Sequence, residues 1–204
     1  MPKVLPEYKE EAKKRIICAA LEVMKTKGYS STTMEDIAAH MGVSKGAIYL
    51  YFKSRDELLA AFVRKMQMKN YETAKRIFPN ATPLDAWTTL FDQYIGLDCQ
   101  YNALFFEIIA ISSRNKAVME IFSSGIMEGI TFATIGVVNQ EKKGLIRPCA
   151  EPRSIAVAIT SMFIGMRSMV ILGADRDEIR GQWQEIGRVL LGIPDATDEP
   201  MKPE

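Results

Sequence analysis

Residues 43–58, VSKGAIYLYFKSRDEL, bring cations, phenol hydroxyls and a glycine close together in the sequence. Lysine and arginine side chains bind anions, and tyrosine hydroxyls can donate hydrogen bonds to phosphate oxygens. A glycine inside a helical pattern costs stability, so its presence favours a place where another backbone approaches closely. The combination indicates a helix that faces an anionic partner.

The elements around this stretch have the layout of a helix-turn-helix. We predict a first helix after a capping box at Thr32 and Glu35, a turn at Gly42 and a second helix that begins at Ser44. In such a motif the N-terminal part of the second helix enters the major groove of DNA, and the first helix crosses the backbone. The spacing leaves one alternative open, a small packed helical subdomain whose charges are merely solvated.

The side chains of the second helix divide into three predicted roles. Lys45 and Ala47 are expected to face base edges, and Gly46 leaves room for the phosphate backbone. Hydroxyls and cations further along, on Tyr49, Tyr51, Lys53 and Arg55, are expected to contact phosphates, as is Thr33 at the start of the first helix. The buried side is predicted to consist of Val43, Ile48 and Phe52.

Charge is distributed unevenly along the chain of 204 residues, although its net charge is only +1. Residues 1–70 carry 13 Lys/Arg against 8 Asp/Glu, whereas residues 71–204 carry 13 against 17. A basic N-terminal third followed by an acidic remainder predicts an anionic partner for the first part only.

Several kinds of site are excluded by what the sequence lacks. His40 is the only histidine, no phosphate-binding glycine loop is present, and no CxxC pair exists. We therefore predict no catalytic residue, no metal site and no cofactor. The three cysteines, Cys18, Cys99 and Cys149, are widely spaced and odd in number, which favours a reduced cytoplasm. No hydrophobic leader and no uninterrupted apolar run of membrane length is found, so no membrane partner is predicted.

Hydrophobic periodicity predicts an all-α chain in two domains and a tail. The N-terminal helix-turn-helix domain is predicted over residues 1–53, an effector-binding and dimerisation domain over 54–193, and a flexible tail over 194–204. Apart from the helix-turn-helix pair, helices are predicted over residues 9–27, 54–78, 84–101, 102–114, 116–140, 152–173 and 176–192.

The run TTMEDIAAHMGVSKGAIYLYFKSRDELL, within residues 19–62, resembles the N-terminal domain of TetR-family transcriptional regulators. The resemblance implies a nine-helix, all-α homodimer with a three-helix head and a helical bundle, which binds a palindromic operator and usually represses. By position, it implies DNA contacts at Thr33, Ser44, Lys45, Gly46, Ala47, Tyr49, Tyr51, Lys53 and Arg55. Tyr51 departs from a frequent histidine and Ala47 from a frequent hydroxyl residue, so the operator sequence does not transfer.

The resemblance also implies an effector cavity in the C-terminal domain. Large soft side chains suit an adaptable pocket for a mostly apolar molecule, although most residues in such a pattern are ordinary core. Glu107 is the candidate partner for a cationic effector, with a surface or ion-paired glutamate as the alternative. The candidate effector residues are Trp87, Phe91, Tyr94, Tyr101, Phe105, Phe106, Glu107, Phe122, Met127, Met162 and Met166.

The last two predicted helices, near 152–173 and 176–192, are expected to form the homodimer interface. Small residues at three- and four-residue spacing would permit close helix packing, and apolar residues of the final helix would add area. The small residues are Ala158, Ser161, Gly165 and Ser168, and the apolar ones are Trp183, Leu190 and Leu191. Two other functions stay open, a redox regulator that senses through Cys99 or Cys149 and a helical-bundle enzyme.

Overall fold

The computed structural model describes residues 6–77, 81–95 and 99–193, which contain nine α-helices and no β-strand. Within these ranges the side chains of eight residues lie outside the description: Pro6, Glu7, Asn70, Ala74, Arg76, Ile77, Tyr94 and Cys99. The helices are α1 (Pro6–Lys27), α2 (Met34–Met41), α3 (Lys45–Tyr49), α4 (Arg55–Ile77), α5 (Pro83–Tyr94), α6 (Cys99–Ser112), α7 (Lys116–Lys142), α8 (Pro152–Ile171) and α9 (Arg176–Leu191). The predicted all-α class is confirmed.

The chain divides into two compact units. Unit 1 comprises Met1–Met66 and Cys99–Gly125, and unit 2 comprises Gln67–Asp98 and Ile126–Glu204. Helix α6 therefore belongs to the same unit as the N-terminal helices, since α6 packs against α1. The functional division at residue 53 stays a prediction.

The cap of α2 lies one residue later than predicted. Thr33, not Thr32, is the N-cap: its hydroxyl accepts from the backbone N–H of Asp36 at 3.1 Å, and its own N–H donates to Asp36 Oδ2 at 2.9 Å. The hydroxyl of Thr32 is buried and donates to the carbonyl of Gly28 at 2.7 Å. Because that hydroxyl already has a partner before α2 begins, the capping role falls to Thr33.

The core of unit 1 anchors the helix-turn-helix. Ile37 of α2 and Ile48 of α3 are almost fully buried in it, together with Phe52, as predicted for the latter two. Val43 is 40% exposed, so its predicted place in the core is wrong. Val43 lies in the turn after Gly42, before α3 begins, and therefore does not share the buried side of that helix.

The core of unit 2 is built around two tryptophans on α5 and α9. The indole rings of Trp87 and Trp183 are stacked, with centroids 4.1 Å apart and planes 11° apart. Each indole N–H donates to the backbone carbonyl of the other tryptophan, at 2.7 Å and 2.9 Å. Trp183 and Leu191 are buried inside this unit, so the prediction that they add apolar area to a dimer interface is wrong.

One predicted helix boundary is wrong. The helix expected over 84–101 ends at Tyr94, and α6 begins at Cys99 rather than at residue 102. Apolar residues continue across the break, so hydrophobic periodicity alone overran the end of α5. The sequence places Gly96 there, a residue of low helix propensity.

Helices α7 and α8 are long and apolar enough to cross a membrane by length and composition. Only 11% of the relevant window of α7 and 22% of that of α8 is buried within the chain. Core and interface helices of globular proteins meet the same criterion. The absence of a membrane partner stays a prediction.

Candidate nucleic-acid interface

Helix α3 is short and is held by one buried residue and one cap. Ile48 is 1% exposed, and the hydroxyl of Ser44 accepts from the backbone N–H of Ala47 at 3.3 Å. Lys45 and Gly46 are exposed, and Ala47 is half-buried. Of the two predicted base-facing residues, Lys45 is therefore open to solvent and Ala47 only partly so.

Gly46 has no packing reason to be a glycine. A Cβ built on it would lie 3.9 Å from Ser44 Oγ and within 4 Å of no other side chain or backbone outside its immediate neighbourhood. Its backbone is ordinary right-handed helix, where alanine is the more stable residue. Since nothing in the described part of the chain requires a glycine at this position, we infer that a binding partner approaches the helix closely there.

Lys45 is ion-paired with Glu35 of α2, and both side chains are about half exposed. The ammonium of Lys45 also lies 5.6 Å from the centre of the Tyr49 ring. The sequence analysis missed Glu35, because a first-turn acidic residue was already explained by capping. Because Glu35 is an anion beside the main predicted base-facing cation, it would repel the phosphates of an approaching DNA duplex.

The two predicted phosphate-binding cations near the start of α4 differ in their surroundings. The Lys53 ammonium donates to the carbonyl of Tyr49 at 2.8 Å and is exposed. Arg55 Nη1 donates to the carbonyls of Tyr29, Ser30 and Thr32 at 2.6, 2.8 and 3.1 Å. Arg55 therefore stabilises the loop between α1 and α2 in this structure, a role that the sequence analysis did not anticipate.

The remaining predicted contact residues, Thr33 and Tyr51, already make contacts within unit 1. The Thr33 hydroxyl donates to Asp36 Oδ2 at 2.8 Å, so it serves the cap. Lys27, 2.5 Å from Asp36, and the Thr33 hydroxyl hold the pKa of that carboxyl at about 2. Tyr51 is half-buried against the unit 1 core, and Leu50, which the sequence analysis missed, is 75% exposed beside it.

The predicted effector residues are divided between the two units. Tyr101, Phe105, Phe106, Glu107 and Phe122 belong to unit 1, whereas Trp87, Phe91, Tyr94, Met127, Met162 and Met166 belong to unit 2. Within unit 1 the ring of Phe105 lies 5.3 Å from those of Phe106 and Phe122. Within unit 2, Trp87 and Phe91 are fully buried in the tryptophan core, and Met127 is 54% exposed.

The thiols and the single imidazole are the groups that could sense redox state or bind a metal; among them, the sulfur of Cys18 accepts a hydrogen bond from the Lys65 ammonium at 3.2 Å. Cys149 and Cys18 are exposed free thiols, and the side chain of Cys99 lies outside the description. No cluster of metal-ligating side chains is found among the described residues. His40 is exposed near the end of α2.

The family model described as "Bacterial regulatory proteins, tetR family" matches residues 16–62, which contain α2, α3 and the surface just described. Residues 16–62 of the chain therefore match the TetR family. The chain is 34% identical over 89 residues to YfiR of Bacillus subtilis strain 168, named an HTH-type transcriptional regulator. That alignment covers 44% of the chain and 42% of YfiR. The first curated relatives are matched over 17 to 42% of their own length.

Solved structures share the fold of this chain over most of its length. GusR of Salmonella enterica has a TM-score of 0.74 at 21% identity, covering 94% of this chain and all of GusR. FadR of Bacillus subtilis, in complex with stearoyl-CoA, has a TM-score of 0.71 at 19% identity, covering 89% of this chain and 99% of FadR. At these identities the likeness shows the two-domain helical fold.

Proposed function

We propose that this chain is a TetR-family transcriptional regulator that reads double-stranded operator DNA through α2 and α3. The observation that carries the proposal is the exposed pair Lys45 and Gly46 on α3, beside the half-buried Ala47, because this glycine has no internal packing reason. Lys45 and Ala47 contact base edges, while Tyr49, Tyr51 and Lys53 contact phosphates. Thr33 contributes the N-terminus of α2, and Arg55 shapes the loop that precedes it.

The first experiment selects duplexes from genomic DNA with the purified chain and measures their affinity by fluorescence anisotropy. Affinity is expected to fall steeply with salt, because cations that bind phosphates release counterions. Replacing Lys45 by alanine is expected to cost about 1–3 kcal/mol on the selected duplex and to relax its specificity. Failure to select any duplex would overturn the proposal.

Replacing Glu35 by glutamine is expected to tighten DNA binding. The change removes an anion from the binding surface and frees Lys45 from its ion pair, so affinity at low salt should rise about threefold to tenfold. The gain should shrink as salt rises, which titrations at several salt concentrations would detect.

The matched control is Glu120→Gln, an exposed and ion-paired glutamate of α7 outside the predicted surface. It removes the same charge and should leave affinity almost unchanged. Equal gains from both changes would mean that only net charge matters, and no gain from Glu35→Gln would contradict the placement of α2 near DNA.

The regulator is further proposed to be a homodimer that associates through α8 and α9. Exposed apolar side chains run along both helices, and a Cβ on the exposed Gly165 would meet nothing within 4 Å, so a second helix could pack closely there. The exposed apolar residues are Val157, Met169, Leu172, Ile186 and Val189. A two-fold dimer could present two recognition helices about 34 Å apart, which suits a palindromic operator.

Replacing Val189 by glutamate is expected to convert the dimer to a monomer. Val189 is 69% exposed, so the change should leave the fold intact while it places a charge in an apolar interface. Light scattering after size-exclusion chromatography measures the oligomeric state. Operator affinity should fall when the dimer is lost. Ile135→Glu, a change at a 54% exposed residue of α7, is the control and should stay dimeric. A dimeric Val189→Glu variant would contradict the assigned interface.

The regulator is also proposed to be a cytoplasmic repressor that a small, largely apolar effector releases from DNA. Two observations support this: the half-buried rings of Phe105, Phe106 and Phe122 lie together in unit 1, and FadR, of the same fold, binds stearoyl-CoA. An effector acts only through differential affinity for the two states. Stearoyl-CoA, in which the acyl chain is the apolar part and the CoA portion is anionic, is the first probe, and operator affinity measured with and without it is the readout. A probe that binds without changing operator affinity would contradict release by that ligand.

A further inference from the structure

Glu107, in the middle of α6, binds the backbone of the loop that joins α1 to α2. Its Oε2 accepts from the N–H of Tyr29 at 2.8 Å, and its Oε1 accepts from the N–H of Ser30 at 3.0 Å. Both oxygens of one carboxylate are therefore used by consecutive backbone donors. Such charge-assisted bonds are shorter and stronger than those between neutral groups.

Gly28 makes this contact possible. It ends α1 with φ of +81°, a left-handed conformation that favours glycine, and its N–H donates to the carbonyl of Met24 at 2.8 Å. A Cβ on Gly28 would lie 2.9 Å from Glu107 Oε2. The turn is thus shaped both to end the helix and to admit the carboxylate.

The other polar groups of the loop are held by the first turn of α4. Arg55 binds three loop carbonyls, and its guanidinium lies 4.3 Å from the centre of the Tyr29 ring. The Tyr29 hydroxyl donates to Asp56 Oδ1, and burial together with this bond raises the pKa of the phenol. The loop is therefore fixed from α4 through its carbonyls and from α6 through its N–H groups.

The packing of α6 gives this contact a connection to the recognition helix. Leu104 and Ile108 of α6 are buried in the same core cluster as Ile37 of α2 and Ile48 of α3. The loop leads directly to Thr33, the cap of α2. A displacement of the loop would therefore displace α2, and with it α3.

We propose that Glu107 is a positioning residue for DNA binding: its carboxylate holds the Tyr29–Ser30 backbone so that α2 and α3 meet the groove in the correct orientation. This role is an alternative to the prediction that Glu107 is a partner for a cationic effector, and it is supported by the backbone hydrogen bonds that both oxygens accept. The proposal rests on the proposed DNA-binding function.

Glu107→Gln is the test, because the amide has the same shape but only one acceptor oxygen. Its NH₂ group would face a backbone N–H, which leaves one donor without a partner. Affinity for the duplex selected by the wild-type chain is expected to fall about tenfold, the effect of one lost charge-assisted hydrogen bond. Hydrogen exchange of the Tyr29 and Ser30 amides should accelerate in the variant, with or without DNA.

The fraction of protein that binds duplex distinguishes a loss of positioning from partial unfolding of the variant. Titration of concentrated duplex should give the same stoichiometry for the variant as for the wild type, with a higher Kd. If the folded fraction of the variant binds the duplex with the wild-type Kd, the proposal is overturned. This holds whether or not the folded fraction is smaller than in the wild type. Glu120→Gln in unit 1 is the control and should change neither readout. If the wild-type chain selects no duplex, the proposed function fails first, and the amide exchange result then shows separately whether the contact exists.

Discussion

Replacing Gly187 by alanine is expected to destabilise unit 2 by about 3 kcal/mol. A Cβ at this position of α9 would lie 2.0 Å from Trp87 Nε1 and 2.3 Å from its Cε2. The indole cannot move aside easily, because it is stacked on Trp183 and hydrogen-bonded to the backbone of that residue. Urea unfolding followed by circular dichroism would measure the loss.

Gly181→Ala on the same helix is the matched control. A Cβ there would meet nothing within 4 Å, so the change should stabilise the helix by about 0.5–1 kcal/mol through backbone entropy alone. Similar unfolding curves for both variants would contradict the close packing of Trp87 against α9.

Replacing Gly46 by alanine is expected to weaken operator binding by about tenfold to hundredfold, the range for loss of a close interface contact. The methyl group would occupy space that the chain itself leaves open, so the loss requires DNA to be the neighbour that it meets. Thermal unfolding should show equal or higher stability, since alanine favours the helix. A variant that is at least as stable as the wild type but binds the operator more weakly has lost a DNA contact and has not been damaged in its fold.

Gly129→Ala provides the reference for that experiment. Gly129 is an exposed glycine of α7, and a methyl group added to it would meet nothing within 4 Å. It lies outside the predicted interface, so the variant should gain stability and keep full affinity. Normal operator binding by Gly46→Ala would show that α3 does not approach DNA at this residue.

Local sequence signals predicted the helices and the helix-turn-helix pair. They failed where the role of a residue depends on partners far away in the sequence. The turn at Gly42 and the cap at Ser44 follow from residue type within a few positions. The choice between Thr32 and Thr33 as cap depends on whether a hydroxyl has another partner, which the spacing alone does not reveal. Both positions are followed three residues later by an acidic side chain.

The role of Glu107 was beyond local reasoning. Its partners lie 77 and 78 residues earlier in the chain and are backbone N–H groups, which carry no sequence signature. Periodicity likewise identified Trp183 as apolar and helical but did not show that its neighbour is Trp87 of the same chain rather than a second subunit. Patterns indicate that a face is buried, and only the fold shows what covers it.

The tryptophan pair has an optical consequence. Trp87 and Trp183 are the only two indoles in the sequence, and both belong to unit 2. Intrinsic fluorescence excited in the indole absorption band therefore reports on unit 2 alone. The recognition helix α3 contains no tryptophan and contributes no signal at that wavelength. A spectral change on adding operator to unlabelled protein would show directly that an event at α3 alters the environment of α5 and α9.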